Sequence, residues 1–197
     1  MISAIYDRRS TRKFSDISVA ERDIIDIIQS GMKAPSAKNR QPWKFIVVQK
    51  DAKEEMLQVF RRGIVREENE RPLLPDSRQF IASAKCTIDI MAEAPVIVFV
   101  VNVLGKSILE DLTPEERVFE ICNIQSISAA IQNMLLSATE KGLGSLWICD
   151  IYFAYEELCE WLHSEGELIA AVAFGYPNEF PQERPRRRIE DVVEWRS

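Results

Sequence analysis

Between Phe119 and Ala138 the chain places apolar residues at nearly every helical position: Ile121, Cys122, Ile124, Ile127, Ala129, Ala130, Ile131, Met134, Leu135 and Leu136. Thr113-Pro114-Glu115-Glu116 opens this stretch with a cap residue, a proline at the first helical position and acids in the first turn. Gly142 closes it after about Lys141, because glycine takes the left-handed conformation that ends helices. A helix with one apolar stripe can lie on a surface, but a helix apolar on every face must be buried on every face. In a chain of 197 residues this predicts cover from the chain's own sheet on one side and from a second subunit on the other.

Shorter elements surround it. Ser3 to Arg9 predicts one helical turn. Ser18-Val19-Ala20-Glu21 has capping-box spacing, ahead of Ile24, Ile25, Ile28 and Met32 at helical spacing. That helix must end near Ala34, because Pro35 cannot continue it. A polar connection from Pro35 to Pro42 leads to a strand from Trp43 to Val48. Asp51 to Glu54 repeats the capping-box spacing before a helix that runs towards Glu70. Arg71 to Ser77, with two prolines, predicts a loop, followed by a helix to about Ala92. Val96 to Val103 is rich in β-branched residues, as a central strand requires. A short strand (Ser145 to Ile148), a helix (Tyr155 to His163) and a strong strand (Leu168 to Phe174) follow. Gly175-Tyr176-Pro177 breaks the chain, and the tail to Ser197 carries little core of its own. No repeat or linker interrupts the pattern, so residues 1–197 read as one domain.

Composition excludes several classes of function. An apolar content of 46% is too high for a disordered chain. Lys and Arg total 25 against 31 Asp and Glu, a net charge of −6, which argues against nonspecific binding to nucleic acid or to anionic membrane. The longest uncharged apolar run, Ala94 to Leu104, is too short to span a bilayer. Met1 to Ser10 lacks the apolar core of a signal peptide, which predicts a cytoplasmic protein. Cys86, Cys122, Cys149 and Cys159 form no C-x-x-C pair, and His163 is the only histidine. These are poor materials for a zinc site or a histidine-based triad. The expected arrangement is three buried or half-buried thiols and an exposed His163 near a helix end.

Four stretches could carry chemistry. Arg8-Arg9-Ser10-x-Arg12-Lys13 offers fork-shaped donors and a hydroxyl suited to a phosphate, although a solvated basic turn reads the same way. Pro35 to Trp43 spaces Ser36, Asn39 and Gln41 along a turn, as a reader of a flat heterocycle or as a plain polar connection. Gly142-Leu143-Gly144 follows a helix and enters a strand, the reverse of the dinucleotide-binding order, so a Rossmann reading is rejected. Arg184-Pro185-Arg186-Arg187-Arg188 is a basic run followed by acids, and by default a solvated one. Together the first and last runs hold eight of the 25 basic residues, at opposite ends of the chain. That distribution suggests both termini meet around one small anion.

In their order and separations these stretches resemble the nitroreductase family of flavin-dependent oxidoreductases. The resemblance rests on Arg8-Arg9-Ser10-x-Arg12-x-Phe14, on Ala34-Pro35-Ser36-x-x-Asn39-x-Gln41-Pro42-Trp43, on Asn133-Met134-Leu135-Leu136 with Gly142-Leu143-Gly144-x-x-Trp147-Ile148, and on Gly175-Tyr176-Pro177 with its basic tail. It implies an α+β fold, a three-layer α/β/α arrangement around a central mixed, mainly antiparallel sheet. It also implies an obligate homodimer with an extended C-terminal segment, binding FMN at the subunit interface and using NADH or NADPH as donor. Arg8, Arg9 and Ser10 would then meet the FMN phosphate or ribityl chain. Arg12 would lie near the edge of the isoalloxazine that accumulates negative charge on reduction, where a fixed cation raises the potential. Pro35, Ser36 and Asn39 would come from the partner chain. Backbone groups of Ile148 and Cys149 would face the flavin, and Arg186 with Arg188 would return to the phosphate. No catalytic side chain is required, since the flavin carries the redox chemistry.

The implied activity is ping-pong electron transfer from NAD(P)H to nitroaromatic, quinone or similar flat acceptors. A dehalogenase-like enzyme, a dehydrogenase or oxidase with a dedicated metabolite, and a non-catalytic flavin sensor stay open. Two departures stand out. Cys149 and Asp150 follow Trp147-Ile148 where many relatives have glycine, and Lys85 is the only candidate in its stretch for gripping the flavin's pyrimidine edge.

Overall fold

A computed structural model describes residues 2–69 and 71–197. Met1 and Glu70, the expected end of one helix, lie outside the described residues. The chain runs α1 (Ser3–Asp7), α2 (Glu21–Met32), β1 (Trp43–Val48), α3 (Asp51–Asn69), α4 (Ile81–Glu93), β2 (Val96–Asn102), α5 (Pro114–Glu140), β3 (Gly144–Ile148), α6 (Tyr155–Leu162) and β4 (Glu167–Gly175). The four strands form one sheet in the order β1-β2-β4-β3, and every strand pairing is antiparallel. Among the described residues the parallel component is a single isolated bridge between Ser10 and Ser145.

The strands dictate the layers. β2 and β4 are buried along their whole length, so neither face can be left to water. Ile97, Phe99 and Val101 point into a core shared with α3, α4 and α6. Val96, Val98 and Val100 point the other way, into a core shared with α2 and α5. Period-two alternation therefore builds a helix layer on each side of the sheet. The register slips once: Val100 pairs with Ala170 and Val101 with Leu168, which leaves Ile169 as a bulge in β4.

α5 is anchored at both ends as its sequence requires. The Thr113 side chain accepts the Glu116 amide, and the Glu116 carboxylate accepts the Thr113 amide at 2.8 Å, a complete capping box. At the other end the Leu143 amide donates to Ala138 and the Gly142 amide to Thr139, with Gly142 at φ +71°. Ile127, Ala130, Ile131 and Met134 are fully buried against the chain's own layers. Val118, Ile121 and Ile124 of the same helix are exposed by 57%, 49% and 41%, so part of its apolar circumference lies uncovered in the single chain.

Other local expectations need correction. The Ser18 capping box does not form: Ala20 is the cap residue of α2, and Glu21 is already helical. Glu21 and Asp23 act instead as first-turn acids facing the positive end of the helix dipole. Asp51 is the first residue of α3 rather than its cap, because Lys50 turns the chain with φ +55°. The segment before α4 is a 3-10 turn, Pro75–Phe80. The thiols also differ from expectation: Cys86 and Cys149 are exposed, and only Cys122 and Cys159 are half-buried. His163 is exposed, at the left-handed end of α6.

A buried carboxylate closes one end of the α3 layer. Glu67 is 1% exposed, holds Arg66 at 2.7 Å and accepts the Leu73 amide at 2.7 Å and the Leu74 amide at 3.2 Å. Arg66 also reaches Glu157 on α6 at 2.7 Å. Glu67→Ala is expected to cost about 3 kcal/mol in urea unfolding, because it leaves a part-buried guanidinium and two amides without this partner. Gly142→Ala tests backbone strain alone, since no atom lies within 4 Å of the added Cβ. A loss of about 1 kcal/mol is expected, with a smaller loss for Gly142→Asn.

Candidate functional site

The N-terminal segment is sewn to the end of the chain. The Thr11 amide donates to Ser145 on β3, the Ser15 amide to Tyr176 and the Asn178 amide to Lys13, at 2.9–3.0 Å. The Glu179 carboxylate accepts the amides of Arg12 and Lys13. Gly144 makes the first of these contacts possible, since a Cβ there would lie 2.5 Å from Thr11 Oγ1. These bonds bring the two basic runs to one place. Arg8, Arg9, Ser10 and Arg12 line a cavity of about 170 Å³ whose other wall is Pro181 to Arg184 and Arg186.

The arginines there are not equivalent. Arg9 is tied down by the chain itself: it donates to the carbonyls of Tyr6 and Arg8 and lies 3.5 Å from Glu183. Arg8 has no carboxylate within ion-pair distance among the described residues, and neither has Arg186. Burial, and then the positive charges of Arg186 and Arg9, hold the Arg8 guanidinium below its ordinary value. Like charges gathered with a single acid, Glu183, which Arg9 takes up, cost free energy, and a multivalent anion between them would offset that cost. Arg188 stands outside the cavity, with Glu190 at 3.6 Å and Asp191 at 3.8 Å.

Arg12 also lines a second cavity of about 340 Å³, together with Trp147, Ile148, Cys149 and Asp150 at the end of β3. Its far wall is Ser83, Cys86, Thr87 and Ile90, one face of α4. Thr87 is buried and donates to Asp150 at 2.5 Å, which fixes the turn after β3 against α4. Partial burial and then the Asp150 charge push the Cys149 thiol up. Trp147 Nε1 is buried and has no hydrogen-bond partner among the described residues. The two cavities share Arg12 as a lining residue, so a cation-rich cavity and the cavity at the end of β3 are neighbours.

Pro35, Ser36 and Asn39 line neither cavity. Their turn is held on α5 by the Ala37 amide, which donates to Ser126 at 3.2 Å, and by Arg40, stacked 4.6 Å over Phe119. Ser36 Oγ accepts the Gln41 amide at 3.0 Å. Lys38, Asn39 and Gln41 all have positive φ, at 54°, 54° and 49°. Non-glycine residues in that region are strained, and such strain concentrates where a turn must present particular groups.

Sequence reasoning missed the α4 wall. Lys85 points elsewhere and pairs with Glu68 at 2.7 Å. The helical spacing of Ser83, Cys86, Thr87 and Ile90 was the available signal. Among the described residues there is no group of three or more His, Cys, Asp or Glu that could hold a metal ion. Nor is any described helix long and apolar enough to cross a membrane.

Comparison with known proteins places the chain among flavin-dependent and nitroreductase relatives. A protein of Archaeoglobus fulgidus, assigned as an NADH dehydrogenase/NAD(P)H nitroreductase, is 28% identical over 184 residues, 90% of this chain and 86% of the relative. The crystal structure of a BluB-like flavoprotein from Clostridium difficile 630 superposes with a TM-score of 0.79 at 26% identity, covering 99% of this chain and 98% of that one. A protein of Desulfovibrio desulfuricans, assigned as a nitroreductase and solved in complex with FMN, gives a TM-score of 0.71 at 25% identity, over 99% and 96% of the two chains. The pattern that defines the nitroreductase family matches residues 5–176, and the chain belongs to that family of oxidoreductases.

Proposed function

We propose that this protein is an FMN-dependent reductase that takes electrons from NADH or NADPH and passes them to nitroaromatic, quinone or similar flat acceptors. The observation that carries this reading is that Arg12 lines both the cavity where Arg8 and Arg186 have no carboxylate partner among the described residues and the cavity at the end of β3. FMN, when bound, supplies the electron-transfer chemistry. The chain's own residues bind and orient. Arg8, Ser10 and Arg186 hold the phosphate, with Arg9 braced behind them. Arg12 sets a positive charge at the cavity at the end of β3, where it favours the negative charge that a reduced ring carries. Ile148 and Cys149 form the wall against the ring, and Thr87–Asp150 keeps that wall in position.

Donor and acceptor use the same cavity in turn, which is ping-pong order. The protein works as a homodimer, supported by the uncovered apolar face of α5 and by the distance of Pro35, Ser36 and Asn39 from the chain's own cavities. We read residues 1–197 as one domain, since a single sheet separates its two cores. We place the protein in the cytoplasm, a reading supported by four free cysteines.

The purified, FMN-reconstituted protein is expected to show a flavin spectrum that bleaches with NADH or NADPH in the absence of oxygen. Failure to take up flavin would overturn the reading. Bound flavin that both nucleotides leave oxidised would point to a dedicated metabolite or a sensor instead. Arg12→Ala is expected to weaken flavin retention or lower its potential. Arg186→Met separates binding from folding. It is expected to weaken FMN binding by about tenfold or more while leaving thermal stability of the ligand-free protein unchanged or higher, because one repulsive charge is gone. Mixing an inactive Arg8→Ala chain with an inactive Ser36→Ala/Asn39→Ala chain tests the shared site. Random dimers restore about a quarter of the sites if those residues act across the interface, and none if they act within one chain.

A further inference from the structure

The cavity at the end of β3 holds two opposite charges that do not meet. Among its described lining residues, Arg12 and Asp150 alone are charged. Asp150 opens the 3-10 turn that follows β3, and Thr87 on α4 donates to its Oδ2 at 2.5 Å. Thr87 engages only that oxygen of the carboxylate. Arg12 is held from the other side, where Glu179 accepts its amide and its guanidinium donates to the Ser10 carbonyl at 3.3 Å. Neither side chain forms an ion pair within 4 Å among the described residues. Opposite charges in a partly dehydrated space gain by closing on each other. Here each is anchored to its own segment, and both line the space between them.

The rest of the wall is neutral. Ile90, Leu146 and Ile148 supply apolar contact, and the hydroxyls and thiols beside them carry no formal charge. Lys85, the side chain that the sequence offered for the flavin's pyrimidine edge, pairs with Glu68 and does not line this cavity. That edge is an imide, one N–H flanked by two carbonyls. The N–H, at N3, is the only N–H donor of the oxidised ring, and a donor covered by protein needs an acceptor. An ionised carboxyl is acceptor-only and forms the stronger, charge-assisted bond. A cation meets the carbonyl side of such an edge equally well. The pair that the cavity holds apart therefore matches an imide in both signs.

We propose that Asp150 accepts the flavin's N3–H, while Arg12 faces a carbonyl of the same edge, so that the two together select an imide. The inference rests on the flavin reading above and assigns that edge to a side chain of this chain. Thr87 acts through Asp150, as a positioning residue. The carboxylate also rejects an imide substituted at nitrogen, because it would then be covered without a donor.

FMN and N3-methyl-FMN differ only at this atom, and their affinities for the full chain are compared by quenching of flavin fluorescence. The unaltered protein is expected to prefer FMN by about tenfold or more. Asp150→Leu should weaken FMN by about tenfold and bind the two flavins within about twofold of each other. Thr87→Val removes the bond that fixes Asp150 but keeps the carboxylate, and should retain a preference for FMN. With nitrogen-15-labelled FMN, magnetic resonance should show N3 and its proton shifted downfield from free FMN on the unaltered protein, and not on Asp150→Leu. Equal affinity of the unaltered protein for both flavins, or a preference undiminished in Asp150→Leu, would overturn the proposal and leave the flavin reading standing. Binding of neither flavin would overturn both. If Asp150→Leu fails to fold, the unaltered protein decides alone: an unshifted N3–H overturns the proposal, and a downfield one with preference for FMN supports it.

Discussion

Everything in this structure is arranged around two strands that cannot touch water on either face. β2 and β4 are the neighbouring central strands, and their residues alternate between two cores. Burying a large apolar side chain contributes roughly 1.5–3 kcal/mol, so β2, with six such positions in a row, imposes a helix layer on both sides. The antiparallel order then sets where the ends of the strands lie. β3 stops at Ile148, opposite Ala171, while β4 begins four residues earlier at Glu167. A cavity opens at the end of β3.

The charge of the protein is organised in the same way. A chain with a net charge of −6 forms a cationic cavity only if its basic residues are gathered and its acids are kept elsewhere. The backbone bonds from Thr11, Ser15 and Asn178 do the gathering. Glu179 is absorbed by the amides of Arg12 and Lys13, and Glu183 by Arg9, so neither meets Arg8 or Arg186. The repulsion left between Arg8 and Arg186 is a local cost that a ligand of opposite charge would offset.

How much could be read in advance depends on the range of the interaction. The capping box at Thr113, the left-handed Gly142 and the two-faced burial of β2 are legible because they involve residues close in sequence, or a strict period. The boxes at Ser18 and Asp51 had the right spacing and failed, because the chain enters α2 two residues later and α3 one residue earlier than the pattern assumed. Arg8, Ser10, Arg12 and Arg186 were legible as a group through family motifs, but the separation of Arg188 from them was not, since Glu190 and Asp191 compete for it. Ser83, Cys86 and Thr87 were hidden, because their role depends on α4 lying against the turn after β3.

The sequence by itself determined which segments are helices and strands, which strands are central, and that both ends of the chain carry cations in an acidic protein. Those properties follow from period, composition and local caps, all of which act over a few residues. Only the tertiary structure decided that the two basic runs face one cavity, that Pro35, Ser36 and Asn39 lie apart from it, and that Asp150 shares a cavity with Arg12. Burial and electrostatic pairing depend on which distant residues the packed layers bring together, and no local pattern encodes that.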